Sequence, residues 1–445
     1  MNKNSNKRVC HPTRRSVLQG MVGAAAVGAW PRGLRAQTAE LRWWTTQGAP
    51  AQLQAYRRQI AAFESNNPGV RVVLEPLSDE GYAAQLAAAF SSGQVPDVVT
   101  HLPSFSVQNY YAQGLVEPLN DVIEAVGSEA YYPGANEVFR AADGNYVATG
   151  IGNSAVNILW LRTDIMQRAG VERVPTTWDE LRDSLRRLHG RGIYGTALPY
   201  GRNSATSLVF VSFIHGAGGQ VFTPELEVAL DSEATRDALE FYREIRDFSP
   251  RGATNYSWGD ILTAFVSGAT ATGLYTGRVL ANVTEQNPRL GEHITCALWP
   301  RQSREIAPWT FNDFPSVFVP RQSANKALAK RFAASLFDAD GYIAQLHAAP
   351  GHVLPVLRTI GESPRYRDND IIRRYSDEVD LMAAAAAGGF NLGYESKAHR
   401  ANDKAGEVIA SGVIADMVQR VVLNGENVDA VLSRTSRAIE MLMAA

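Results

Sequence analysis

The sequence predicts an α/β protein built on mainly parallel sheets with helices on their faces, and three observations carry that reading. Strand-like and helix-like stretches alternate from Leu41 to Val99. Residues 145–188 run in the order glycine-bearing connector, buried strand, short helix, capped helix. The chain has 445 residues, 45% of them apolar, enough for two or more cores.

Leu41-Arg42-Trp43-Trp44-Thr45 reads as a strand, followed by the loop Thr46-Gln47-Gly48-Ala49-Pro50. Leu53, Tyr56, Ile60 and Phe63 then fall at helical steps, and Asn66-Asn67-Pro68-Gly69 stops that helix. Residues 70–74 form a second strand, Tyr82, Leu86 and Phe90 mark a second helix, and Val98-Val99 opens a third strand. Ligands of such sheets sit beyond the carboxyl ends of the strands, which selects two loops, 45–48 and 101–105.

In the connector, Gly150 and Gly152 flank Ile151 ahead of Asn153, and a hinge is expected there because glycine absorbs backbone angles that other residues resist. Residues 155–161 are apolar and β-branched enough for a buried strand, and the helix over 163–169 stops at Gly170. Pro175-Thr176-Thr177-Trp178-Asp179-Glu180-Leu181 starts a stronger helix. Thr177 and Glu180 have capping-box spacing, and Trp178, Leu181, Leu185 and Leu188 share one face.

Farther on, Gly216 and Gly218 followed by Val221 lack the third glycine of a dinucleotide loop and follow a helix, so a nucleotide reading is rejected. His215 reads as a helix cap or surface residue. Helices are expected over 231–247, from Trp258 to Gly268, around Leu328, Phe332 and Leu336, and over 428–442. The basic and acidic residues of 365–380 read as a solvated face, with Asp368 and Asp370 in ion pairs rather than in acid–base chemistry.

At the amino terminus, Thr13-Arg14-Arg15-Ser16-Val17-Leu18 precedes a weakly apolar run, the pattern of a twin-arginine (Tat) export signal, with cleavage expected after Ala36. Residues 1–36 hold seven of the 43 basic residues and none of the 45 acids, so the remainder carries 36 against 45, a net charge of −9. That balance argues against nucleic acid or an anionic membrane as partner. Removal of Cys10 would leave Cys296 without an intramolecular partner. No phosphate-binding loop, zinc motif, paired Cys-x-x-Cys or nucleophile elbow is present, so no catalytic residue, metal or cofactor is expected.

The order of the 145–188 stretch, with Pro175 to Leu181, Gly114-Leu115-Val116-Glu117-Pro118-Leu119, the helix–glycine–strand run ending Tyr275-Thr276-Gly277-Arg278, and Gly351-His352-Val353-Leu354-Pro355, resembles the family 1 extracellular solute-binding proteins of ABC importers, the group containing maltose- and other sugar-binding proteins. The resemblance implies a two-lobe periplasmic binding protein fold. Each lobe would be a mainly parallel sheet flanked by helices, and a hinge of three crossings would join them. It divides the chain into a signal over 1–36, a first lobe of 37–150 plus 305–350, and a second of 151–304 plus 351–445. It also implies a monomeric periplasmic protein that is not membrane-inserted and not an enzyme. Such a protein captures a mono- or oligosaccharide, an acidic one included, and delivers it to ABC permease subunits. A polyol, glycerol phosphate or organic anion stays open as the solute, and a Tat-exported enzyme such as a glycosidase is the alternative of another class.

Sugars present apolar C–H faces and hydroxyl rims, so their sites need aromatic plates beside hydrogen-bonding side chains. The resemblance places Trp44 and Phe105 at first-lobe contact positions, although either could equally be core. Trp258, Tyr275, Trp309 and Phe311 are the other aromatic candidates. Gln47, Asn153, Arg278, Asn312 and Asp313 are the polar ones, the last two standing where the family usually has a glycine-rich ligand loop. Arg278 could pair with an anionic sugar or bond local carbonyls.

Overall fold

A computed structural model describes residues 39–444. The twin-arginine segment, Cys10 and the expected cleavage at Ala36 lie outside the described residues. Among these, ten strands form three sheets: β1 (Ala39–Thr45), β2 (Val70–Pro76), β3 (Val98–Thr100), β4 (Thr149–Gly150), β5 (Ser154–Ala155), β6 (Ile158–Arg162), β7 (Thr272–Tyr275), β8 (Ile294–Leu298), β9 (Asn312–Asp313) and β10 (Ser316–Phe318).

The first sheet has the order β2-β1-β3-β10-β4. β1 runs parallel to β2, from Ala39 opposite Val70 to Thr45 opposite Pro76, and parallel to β3. β10 returns antiparallel between β3 and β4. Trp43 and Trp44 point to opposite faces of β1, as successive strand residues must, and both are buried because helices cover both faces. Trp43 packs on Tyr56 of the helix Pro50–Asn66 at 4.7 Å between rings and donates to Thr100 Oγ1 at 3.0 Å. Trp44 joins Tyr82, Leu86 and Phe90 on the other side.

The second sheet departs from parallel pairing. β6 lies between β7 and β8 and runs antiparallel to both. Parallel neighbours need a helical crossover between them. β6 instead follows β5 after only Val156 and Asn157, so the crossing itself sets its direction. A parallel neighbour does flank β7, where Ala271 N–H donates to the Tyr194 carbonyl at 2.8 Å and Thr272 N–H to that of Gly195 at 2.9 Å.

β5 and β9 pair antiparallel as a two-stranded sheet of their own. In chain order β5 lies between β4 and β6, and β9 between β8 and β10, so this ribbon is made of the two segments that connect the larger sheets. A third segment joins it, since Asn153 and Leu354 exchange backbone hydrogen bonds of 2.9 and 2.7 Å. Gly152 permits this approach: a Cβ there would stand 1.9 Å from Val353 Cγ1.

The helix Trp178–Leu188 forms as its cap predicts. Glu180 N–H donates to Thr177 Oγ1 at 3.3 Å, and the Glu180 carboxylate accepts from Thr177 N–H at 3.3 Å. Trp178 stacks on Phe241 at 4.4 Å and 3° and donates its indole N–H to the Pro300 carbonyl at 3.1 Å. Arg373 pairs with Asp368 and Asp370, and Arg367 with Asp380, all exposed. No helix among the described residues is long and apolar enough to cross a membrane.

Candidate functional site

The site is built where strand ends from the two larger sheets meet the third connecting segment. β3 ends at Thr100, and His101 turns the chain with a φ of 68°, a left-handed conformation that histidine tolerates better than most residues. His101 N–H donates to the Ser316 carbonyl at 2.9 Å, and its Nδ1 lies 3.2 Å from Oγ1 of Thr45, the last residue of β1. The buried Tyr56 ring stands 6.4 Å from the imidazole.

From the second sheet, β7 ends at Tyr275, and Thr276-Gly277 leads into the helix Arg278–Gln286. Thr276 Oγ1 accepts the Arg278 N–H at 3.2 Å and lies 3.2 Å from Nδ1 of His352. The third segment rests directly on this loop, since a Cβ on Gly277 would be 2.0 Å from the Gly351 carbonyl oxygen. Ser154 of β5 donates its hydroxyl to the His352 carbonyl. His101, His352 and Arg278 thus come from three distant stretches of chain.

Burial first, and the charge of Arg278 second, push the His101 pKa down to about 3. His352 is held well below the usual histidine range by burial, by Arg278 and by His101. Both imidazoles are therefore neutral at physiological pH, and Arg278 is the fixed charge of the group. Arg278 is half-buried as a residue, and its guanidinium has no hydrogen-bond or ion-pair partner among the described residues. Nearby, Trp258 opens the helix Trp258–Val266 half-buried and meets Tyr275 edge-on at 6.1 Å and 72°.

A second aromatic group forms around Trp309. It stacks on His215 at 4.0 Å and 4°, and Phe311 lies nearly parallel to it at 6.4 Å. The Trp309 indole donates to the Glu395 carbonyl at 3.1 Å. The Glu395 carboxylate is buried and accepts from Val221 N–H at 2.8 Å and Phe222 N–H at 2.9 Å, with His215 Nε2 at 2.8 Å. The surface or cap reading of His215 is corrected accordingly. A buried carboxylate requires such partners, and His215 is one of them.

The remaining sequence candidates are dispersed. The Trp44 indole donates to Glu75 at 2.6 Å, with Arg42 above its ring. Gln47 is buried and accepts from the Gln52 side chain. Phe105 lies on the helix Ser104–Ala112, not in a loop, and packs with Phe311, Leu392 and Ala405. Asn153, just ahead of the ribbon, and Asn312, within it, are buried, each with a side-chain oxygen lacking a partner among the described residues, and Asn312 donates to the Ala386 carbonyl at 2.9 Å. Asp313 is half-buried on β9 opposite Ser154. Trp258 and Tyr275 are brought together, as are Trp309 and Phe311. His101 and His352 were not singled out by residue type, although the strand-end rule selects the loop holding His101 and the third crossing contains His352.

The sequence matches the bacterial extracellular solute-binding protein description over residues 48–343. A putative ABC transporter periplasmic-binding protein of Escherichia coli strain K12, YcjN, is 24% identical over 402 residues, covering 86% of this chain and 88% of that one. Among solved structures, an ABC transporter solute-binding protein from Thermotoga lettingae bound to α-D-tagatose aligns with a TM-score of 0.78 at 19% identity, over 91% of this chain and 100% of that one. Maltose-bound MalE3 of T. maritima aligns with a TM-score of 0.77 at 18% identity, over 91% and 100%. Identities this low speak for the fold alone, whereas the match over residues 48–343 spans most of the sequence. The chain belongs to the bacterial extracellular solute-binding protein family.

Proposed function

We propose that this chain is the solute-capturing component of an ABC importer, taking a carbohydrate into a cleft between two lobes and delivering it to membrane permease subunits. The observations that support it best are the Thr45–His101 pair of the first sheet, the Thr276–His352 pair that joins the second sheet to the third crossing, and the charge of Arg278, which acts on both histidines. A solute touching all of them favours the closed arrangement, because only closure lets it contact both lobes at once. The lobes would be 37–150 plus 305–350 and 151–304 plus 351–445. Trp258 and Tyr275 serve as the nearest aromatic plates, with Trp309 and Phe311 beyond them. Asn153, Asn312 and Asp313 supply hydroxyl partners along the ribbon. Trp44, Gln47 and Phe105 back the walls through the contacts described above.

The protein acts as a monomeric binder rather than an enzyme, in the periplasm, after Tat export and cleavage near Ala36. A thermal-unfolding screen with sugars, sugar acids, polyols and glycerol phosphates tests the reading. Ligand at ~100 times its Kd stabilises the folded state by about 2.7 kcal/mol, a rise of several degrees at most for a chain this long. A panel in which no member raises the melting temperature, but one is chemically converted, replaces the binder with an enzyme.

A further inference from the structure

We propose that the solute carries one carboxylate, as a sugar acid does, and that the Arg278 guanidinium binds it between the imidazoles of His101 and His352; this rests on the solute-capture reading above. The first support is the guanidinium itself. Arg278 is half-buried as a residue, and its guanidinium has no hydrogen-bond or ion-pair partner among the described residues. Arg162, half-buried to the same degree, by contrast grips Asp164 through two bonds of 2.8 Å. A planar fork of N–H donors left open in a cleft matches a carboxylate through two parallel bonds.

Position is the second support. Arg278 opens its helix beside Thr276, whose Oγ1 accepts the Arg278 N–H at 3.2 Å and lies 3.2 Å from His352 Nδ1, and its charge opposes protonation of His352 and of His101. An anion held there meets Thr45 and His101 on one side and Thr276 on the other, so its charge is read by both sheets. The third support is the count of charge. With both histidines neutral, the cluster offers a single positive charge. A carboxylate neutralises it, whereas the second charge of a phosphate ester would be left unmatched as water leaves. Attraction must be local, because residues 37–445 carry a net charge of −9 and repel anions at a distance.

The test is isothermal titration of the mature protein with matched pairs: glucuronate against glucose, galacturonate against galactose, and glucose 6-phosphate as the dianion. One acid should bind at least about tenfold more tightly than its neutral partner, with affinity falling as salt rises. Arg278→Gln should weaken the acid about 10- to 150-fold and leave the neutral partner nearly unchanged. Should Arg278→Gln perturb folding, Arg278→Lys, which keeps the charge, should retain a preference for the acid. Neutral sugars binding as well as acids, equal losses on both in Arg278→Gln, or a phosphate ester binding more tightly than its carboxylate counterpart overturns the inference and leaves sugar capture standing. Failure of all of these sugars, acidic and neutral, overturns the inference, whereas capture falls only to the wider panel described above.

Discussion

A methyl group added at Gly277 probes how the third crossing is held against the second sheet. An ideal Cβ at Gly277 would stand 2.0 Å from the Gly351 carbonyl oxygen, 2.5 Å from its carbon and 2.8 Å from Met382 Cε. Real Cβ contacts essentially never fall under 3.0 Å, so in Gly277→Ala the crossing must retreat by about 1 Å or more. Gly351 holds a φ of 75°, so the opposing backbone has little freedom to yield without strain. Overpacking of this kind costs about 1–3 kcal/mol. The retreat also breaks the 3.2 Å contact between Thr276 and His352, and losing one hydrogen bond of about 0.5–1.5 kcal/mol weakens solute binding roughly 2- to 13-fold. Calorimetric melting and isothermal titration measure the two effects separately. Gly259→Ala is the matched control: nothing lies within 4 Å of its Cβ position, and the site is exposed on a helix. It should stabilise by about 0.4–1 kcal/mol. If Gly277→Ala melts and binds like the unaltered protein, the close approach of the two backbones is not what places His352.

Three further outcomes follow from other parts of the chain. Trp178→Ala removes a buried ring stacked on Phe241 and should destabilise by about 3–5 kcal/mol in denaturant unfolding while leaving the affinity of the folded protein unchanged; a loss under about 1 kcal/mol would refute its packing role. The hydrogen bond from Arg42, and secondarily that from Trp44, hold Glu75 below the usual carboxylate pKa against the opposing effect of burial. A depressed folded pKa contributes stability above the unfolded value of about 4.3 and loses it as pH falls through the folded value, so Glu75→Gln should flatten the acid limb of the stability–pH curve; identical slopes below that pH would sink the argument. Replacing Arg14 and Arg15 together by Lys should retain the precursor inside the cell, and normal periplasmic levels of that variant would remove the Tat assignment.

Local chemistry made much of the fold readable. Thr177 and Glu180 cap their helix because the capping box needs only four consecutive residues, and the helix over Pro50–Asn66 buries Tyr56, Ile60 and Phe63 at the steps the sequence shows. Strand direction was less accessible. Alternating strands and helices indicate α/β layers, but nothing within Ile158–Arg162 records that it enters its sheet straight from a crossing and so runs antiparallel to both neighbours. The Trp43-Trp44 pair shows the same limit: alternation assigns them to opposite faces, and only the helices covering both faces decide that neither is left open. At the candidate site, Trp258, Tyr275 and Arg278 could be singled out as candidates because they fall within one run of helix, strand and loop. His101 and His352 were not, because two single histidines far apart in sequence carry no shared spacing, and His352 reaches Thr276 through the approach of Gly277 to Gly351. His215 was misread for a similar reason, its partner Glu395 being 180 residues away.

Capture without conversion is the central claim, and one titration tests it. The solute that most raises the melting temperature is titrated into the mature protein by calorimetry, and the same sample is then denatured and its solute recovered. The account predicts saturable binding at one site per chain, a change in tryptophan emission as Trp258 leaves solvent on closure, and complete recovery of the solute unaltered. Heat that continues after saturation, with a chemically changed product in the recovered fraction, would contradict it.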